Sequence, residues 1–361
     1  MLTEFDSKEK MIEIERRAMS NLNRLKTIKP KTVSVKQDQL VKTDYLRPGE
    51  TLPLVVRPAF DNINLINWTR NNREFIEKDL LKHGAILFRG FNIQSTTELE
   101  QFAQVFVPEL LNENGEHPRK SISGNVYTPV FYPADKRIWW HNENSFNYHW
   151  PMRIWFCCVT PAQQGGETPL VDARRIFNSI DPEIREKFIR KKVMYVRNYG
   201  GGLGLDWQTV FRTSSKSDVE KRCREDVMDF KWKEGDQLMT RAIRPAVVKH
   251  PKMNEMTWFN QAQHWHVSCL DPATRESMLS LFTKDDLPRN CYYGDGSVIE
   301  DSVMDHILET YRKLESSFLW QKGDVLMVDN LLTAHGRNPF VGERKHMVAM
   351  GEMLSYGDVD C

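Results

Sequence analysis

The sequence predicts a mainly β fold with flanking helices, arranged as a double-stranded β-helix, or jelly-roll, barrel. Three observations point there. Short apolar or alternating runs recur along most of the chain, among them Leu52 to Arg57, Ile154 to Val159 and Val325 to Asp329. Capped helical stretches concentrate toward the first half. No internal repeat is visible, and the many short strands together with those helices suggest a barrel with helices packed outside it.

Composition narrows the function classes. With 361 residues the chain can bury a sizeable core. A hydrophobic share of 40% and a net charge of +1 fit a soluble globular protein and select for neither nucleic acid nor a membrane surface. No apolar run approaches the roughly 20 residues of a membrane span. Met1 to Asp6 carries acidic residues where a signal peptide is basic. The six cysteines are scattered and form no Cys-x-x-Cys, which predicts a cytoplasmic protein in a reducing compartment.

The elements follow in order. Residues 7–25 read as an amphipathic helix, and Lys26 to Lys42 as a basic arm, either solvated or docking an acidic partner. Residues 1–50 are thereby separated from a domain over 51–361. A helix near 68–82 ends at Gly84, and Ala85 to Arg89 is a short buried strand. Ser95-Thr96-Thr97-Glu98 is a capping box, and Ser217-Asp218-Val219-Glu220 reads as another. Residues 112–130 read as a long loop, a candidate lid. Asp172, Asp181 and Asp301 are placed to cap helices. The Gly200-Gly201-Gly202-Leu203-Gly204 stretch lacks the spacing of a phosphate-binding loop and reads as a flexible connection. Residues 246–249 and 256–259 pair as a hairpin.

The chemistry centres on Trp139-Trp140-His141-Asn142-Glu143. In an extended strand residues two apart share a face, so His141 and Glu143 present an imidazole and a carboxylate to one spot. A second imidazole from His335, far along the chain, completes two His and one carboxylate. That facial triad leaves other metal positions open, as in non-haem iron oxygenases. A His-x-Glu spacing alone is weak, and a strand-edge His beside a solvated Glu is the plain alternative.

Several pieces together resemble the taurine dioxygenase-like (TauD/TfdA) Fe(II)/2-oxoglutarate oxygenases. They are Gly84 to Phe91, His141-Asn142-Glu143, Gly165-Gly166-Glu167-Thr168, Gly323 to Asn330, Ala334-His335-Gly336-Arg337 and Pro339 to Arg344. They occur in the family's order and span residues 84 to 350. His-Asn-Glu-Asn-Ser-Phe and His-Gly-Arg-Asn-Pro-Phe look most like the syringomycin-type hydroxylases. The resemblance implies Fe(II) on His141, Glu143 and His335, with 2-oxoglutarate and O2 as cosubstrates. It implies that Arg344 and Thr168 take the distal carboxylate of 2-oxoglutarate, a planar guanidinium and a hydroxyl being suited to it. Hydroxylation of a substrate C–H, with succinate and CO2 as coproducts, follows. In related halogenases a small residue replaces the metal carboxylate; Glu143 stands there, so oxygenation and not chlorination is expected.

The same resemblance points to an amino-acid substrate of a natural-product pathway, free or tethered to a carrier protein. His264 and His266 read as a same-face pair, either core histidines or ligands for substrate or a second metal. Arg337, beside His335, is either a substrate-binding arginine or half of an ion pair. Two rival functions stay open: desaturation or cyclisation of a small free acid with the same cofactors, and a zinc-dependent hydrolase using the same triad.

Overall fold

The computed structural model describes residues 37–111 and 121–361. The helix expected at 7–25, most of the basic arm and residues 112–120 of the candidate lid lie outside them. Leu40–Cys361 form one compact unit.

Two sheets carry the site. The major sheet has eight strands in the spatial order Val41–Tyr45, Leu54–Pro58, Ala85–Phe88, Val325–Asp329, His149–Thr160, Lys345–Ser355, Val126–Tyr127 and Ser121–Ser123. The minor sheet has four, in the order Ser316–Phe318, Thr168–Asp172, Thr333–Arg337 and Ile138–His141. The chain is therefore mainly β with flanking helices, as expected, but hydrogen bonding among the described residues closes no barrel.

Side-chain alternation explains the layering. In the major sheet Val56, Phe88, Trp155, Cys157, Met327 and Ala349 point one way, against helices Leu65–Asn71, Arg73–His83 and Thr96–Gln104. Val55, Leu87, Ile154, Cys158, Leu326 and Met350 point the other way, onto Leu170 of the minor sheet and onto Phe318 and Trp320. The far side of the minor sheet, with Trp140, Val171 and Ala334, packs on helices Ala173–Ser179, Pro182–Lys191 and Asp301–Leu314. Strands buried on both faces read as continuous apolar runs, which is why Ile154 to Val159 and Val325 to Asp329 showed no alternation.

A buried ion pair ties two distant motif pieces together. Arg89 donates to Asp324 at 2.7 Å and to the Leu319 carbonyl at 2.8 Å. Burial pushes the Asp324 carboxyl up, against the pull of Arg89.

Local expectations hold in most places. Ser95 and Glu98 form a reciprocal capping box, and Asp172 and Asp181 cap their helices. Gly84 closes the Arg73–His83 helix, and the hairpin forms between Val247–Lys249 and Met256–Trp258. Others are corrected. Ser215, not Ser217, caps Lys216–Glu225, because its hydroxyl reaches the Asp218 amide. Glu300, not Asp301, is the N-cap residue of Asp301–Leu314. Part of the stretch expected to be loop, Ser121–Ser123 and Val126–Tyr127, pairs at the sheet edge. The Val41–Tyr45 strand, on the N-terminal side of residue 50, pairs with Leu54–Pro58.

Candidate active site

The His141 and His335 strands are antiparallel neighbours, with the two histidines directly opposite. Their ring centroids lie 4.5 Å apart. Glu143 differs from expectation in its backbone. The strand ends at His141, and Glu143 sits in the turn that follows, where Asn144 adopts a left-handed φ of 58°. Asparagine tolerates that conformation. The turn still delivers the carboxylate to the same spot. His141 Nε2 lies 3.8 Å and His335 Nε2 4.0 Å from Glu143 Oε2.

Those separations are too long for hydrogen bonds and suit three donors arranged around one centre. His141, Glu143 and His335 are the metal-capable group among the described residues. His141 Nδ1 lies 2.9 Å from the Trp139 carbonyl. A carbonyl only accepts, so Nδ1 carries the proton and Nε2 keeps its lone pair for a metal.

Side chains from elsewhere hold this edge strand. Gln261 donates to the Asn142 carbonyl and Gln263 to the Trp140 carbonyl, each at 2.7 Å. His264 Nε2 lies 3.0 Å from the Trp139 carbonyl, with its ring 5.0 Å from that of His141. Three side chains from one short segment thus cover carbonyls along an edge strand and its end. His264 therefore touches the candidate centre. His266 does not: its nitrogens face Ser268 and the Ile299 carbonyl. The two do not share a face because Ala262–Trp265 is a helical turn, not a strand. Burial, then the neighbouring His141, holds His264 well below the ordinary histidine range.

Asn330 was not legible as a site residue. Its Oδ1 accepts the Glu143 amide at 2.7 Å, and its Nδ2 donates to the Glu143 carbonyl at 2.9 Å and the Pro151 carbonyl at 2.8 Å. No local pattern announces a contact across 187 residues.

A cavity of about 540 Å³ opens beside the triad, between the two sheets. His141, Glu143 and His335 line it together with Thr168, Arg344 and His346. Arg344 donates through Nε to the Gly166 carbonyl at 3.3 Å. Gly166 has φ 74°, and a Cβ there would press to 3.2 Å on the arginine side chain. No carboxylate among the described residues pairs with Arg344. Burial first, then the Arg337 charge, pushes its guanidinium down to about 10. A half-buried cation without a carboxylate partner calls for an anion. The Thr168 hydroxyl accepts the Trp320 indole N–H at 3.0 Å, which leaves its own proton free to donate. This end of the cavity therefore fits a dicarboxylic cosubstrate.

Arg337 does something else. Its guanidinium donates to the carbonyls of Tyr132 at 3.1 Å, Pro133 at 2.5 Å and Lys136 at 2.6 Å. It fixes the segment containing Tyr132, lines the cavity beside it, and pairs with no carboxylate among the described residues, so the expected ion pair is not formed.

Comparisons with known proteins agree with this geometry. The family described as "Taurine catabolism dioxygenase TauD, TfdA family" matches residues 49–350.

The chain belongs to that family. It is an oxygenase that uses Fe(II), 2-oxoglutarate and O2, as family members do. A relative from Enterobacter agglomerans, the dapdiamide synthesis protein DdaC, is 40% identical over 276 residues, covering 76% of this chain and 84% of its own. The clavaminate synthase-like protein At3g21360 of Arabidopsis thaliana is 25% identical, covering 84% of this chain and 91% of its own. Among solved structures, PvcB from Pseudomonas aeruginosa superposes with a TM-score of 0.54 at 15% identity. It covers 91% of this chain and 98% of that one. A second PvcB structure is described as that of an Fe, alpha-ketoglutarate dependent oxygenase from an isonitrile synthetic pathway. At this identity the PvcB likeness speaks for the fold. No helix of the described residues is long and apolar enough to cross a membrane.

Proposed function

We propose that His141, Glu143 and His335 hold the Fe(II), and that Arg344 and Thr168 take the distal carboxylate of 2-oxoglutarate. The observation that carries this reading is the pairing of two features in one cavity. A triad of donors, spaced around one centre, sits at one side, and a half-buried cation without a carboxylate partner sits at the other. The iron and its cosubstrates supply the oxidising chemistry once bound. The chain's own residues hold, orient and enclose. Nδ1 of His141 stays protonated against Trp139, Asn330 fixes the Glu143 backbone, and Arg337 fixes the segment along the cavity. The two facing sheets are read as the halves of a jelly roll.

The substrate proposed is an amino-acid unit in natural-product biosynthesis, free or tethered to a carrier protein, which the enzyme hydroxylates in the cytoplasm. What supports it is the motif resemblance and the 40% identity to a dapdiamide synthesis protein. The cavity volume suits a small molecule of that size. Desaturation or ring closure begins from the same enclosed C–H and is the second outcome of the same assay. A zinc hydrolase has no use for the Arg344 end.

The test supplies Fe(II), 2-oxoglutarate and ascorbate, and follows succinate across amino acids offered free and carrier-loaded, at low and high salt. Succinate formation coupled to an oxygenated amino acid supports the reading. Efficient turnover of a free amino acid with no gain from the carrier removes the tether. Hydrolysis without O2 removes the oxygenase chemistry itself.

A further inference from the structure

His346 is a buried histidine with no partner. It opens the Lys345–Ser355 strand opposite Cys158, after a register irregularity at Lys345. Only 5% of its surface is exposed, and neither Nδ1 nor Nε2 has a hydrogen-bond partner. Two orphaned ring nitrogens in a low-dielectric site cost stability unless something else satisfies them. The ring borders the cavity, edge-on to Trp320 at 4.7 Å. That same Trp320 orients the Thr168 hydroxyl. His346, Thr168 and Arg344 thus line one end of the cavity, and no carboxylate among the described residues pairs with any of them.

Chemistry narrows what can satisfy such a ring. Burial and the nearby Arg344 charge hold it well below the ordinary histidine range, so it is a neutral imidazole. A neutral imidazole has one N–H to donate. The Arg344 guanidinium cannot accept it. An anion bridging the guanidinium and the ring satisfies both at once.

We propose that His346 is a third anchor for the distal carboxylate of 2-oxoglutarate, donating one ring N–H beside Arg344 and Thr168. This rests on the reading that Arg344 and Thr168 form the cosubstrate end of the cavity. His346 thereby helps the enzyme distinguish 2-oxoglutarate from 2-oxo acids that lack the second carboxylate.

The test is equilibrium binding to Mn(II)-loaded protein by calorimetry, without O2. The probes are 2-oxoglutarate and 2-oxopentanoate, which share chain length and differ in the distal carboxylate. His346→Phe keeps a ring against Trp320 and removes both nitrogens; His346→Gln keeps an N–H. Loss of a hydrogen bond to a charged acceptor predicts about tenfold weaker 2-oxoglutarate binding in His346→Phe. Binding of 2-oxopentanoate should change less than about twofold, since it lacks the contact. His346→Gln should recover most of the loss. Equal weakening of both probes, or an unchanged affinity for 2-oxoglutarate, overturns the proposal. Arg344→Ala run in parallel separates the two readings. If Arg344→Ala erases the discrimination and His346→Phe does not, only His346 is misassigned. If the unmodified protein does not discriminate, the cosubstrate end itself is misplaced and both readings fall.

Discussion

Asn330 grips Glu143 by its backbone: the amide side chain accepts from the Glu143 N–H at 2.7 Å and donates to its carbonyl at 2.9 Å. The candidate carboxylate ligand lies in a turn, where no strand ladder fixes it. A buried side chain from the loop after Val325–Asp329 does that work instead.

Asn330→Ala should therefore weaken metal binding without touching a ligand. Loss of an outer partner of a metal ligand lowers affinity by about 10–100-fold. Titration of Fe(II) or Mn(II) checks this. An unchanged metal affinity would mean that the turn holds Glu143 unaided.

His141→Ala and His335→Ala should abolish Fe(II)-dependent succinate formation and bound metal while the fold persists. Both side chains border the cavity, so truncation removes a donor and little core. Metal analysis and circular dichroism separate loss of the site from loss of the fold. Wild-type turnover in either variant would refute the triad.

Arg344→Ala should raise the 2-oxoglutarate requirement by tenfold or more and leave the substrate requirement nearly unchanged. A charged hydrogen bond contributes roughly 1.5–3 kcal/mol, and 1.4 kcal/mol is about tenfold. Steady-state KM values for both compounds decide it.

Acid should loosen the support of the site through Asp329. Burial pushes this carboxyl up, but the His250 hydrogen bond at 3.2 Å and the Arg153 charge outweigh it, so it ends below the ordinary aspartate value. The same carboxylate accepts the Leu331 and Leu332 amides, in the turn that contains Asn330. A depressed folded pKa gives stability that is present above the unfolded value of about 3.9 and lost as pH falls through the folded one. Urea midpoints should drop below about pH 4 for this reason. Asp329→Asn should lower stability at pH 7 by on the order of 3 kcal/mol and flatten the acid limb. An acid limb identical in the variant would assign the effect to other groups.

Chlorination should not occur. Glu143, the proposed metal carboxylate, stands where the family resemblance gives halogenases a small residue. Mass spectrometry of the product in chloride buffer checks it, and a chlorinated product would sink the assignment of Glu143.

Much of this was legible from sequence because it is local. Alternation and apolar runs place the strands, a capping box reads over four residues, and Gly84 marks a helix end. His141, Glu143 and His335 carry their chemistry in residue type, and Gly166, Thr168 and Arg344 lie in recognisable runs. Local signals failed where two candidates compete within a few residues, as Ser215 and Ser217 do, or where periodicity was misread, as at His264 and His266.

The rest is long-range. The pairing of His335 with His141 comes from strand register between segments 194 residues apart. The grip of Asn330 on Glu143, the three donors on the Trp139, Trp140 and Asn142 carbonyls and the orphaned ring nitrogens of His346 arise only when distant segments are packed together. A sequence specifies which groups a residue offers; which of them are left without water and without a partner is decided by the folded neighbours, because burial and hydrogen-bond satisfaction are properties of the packed chain.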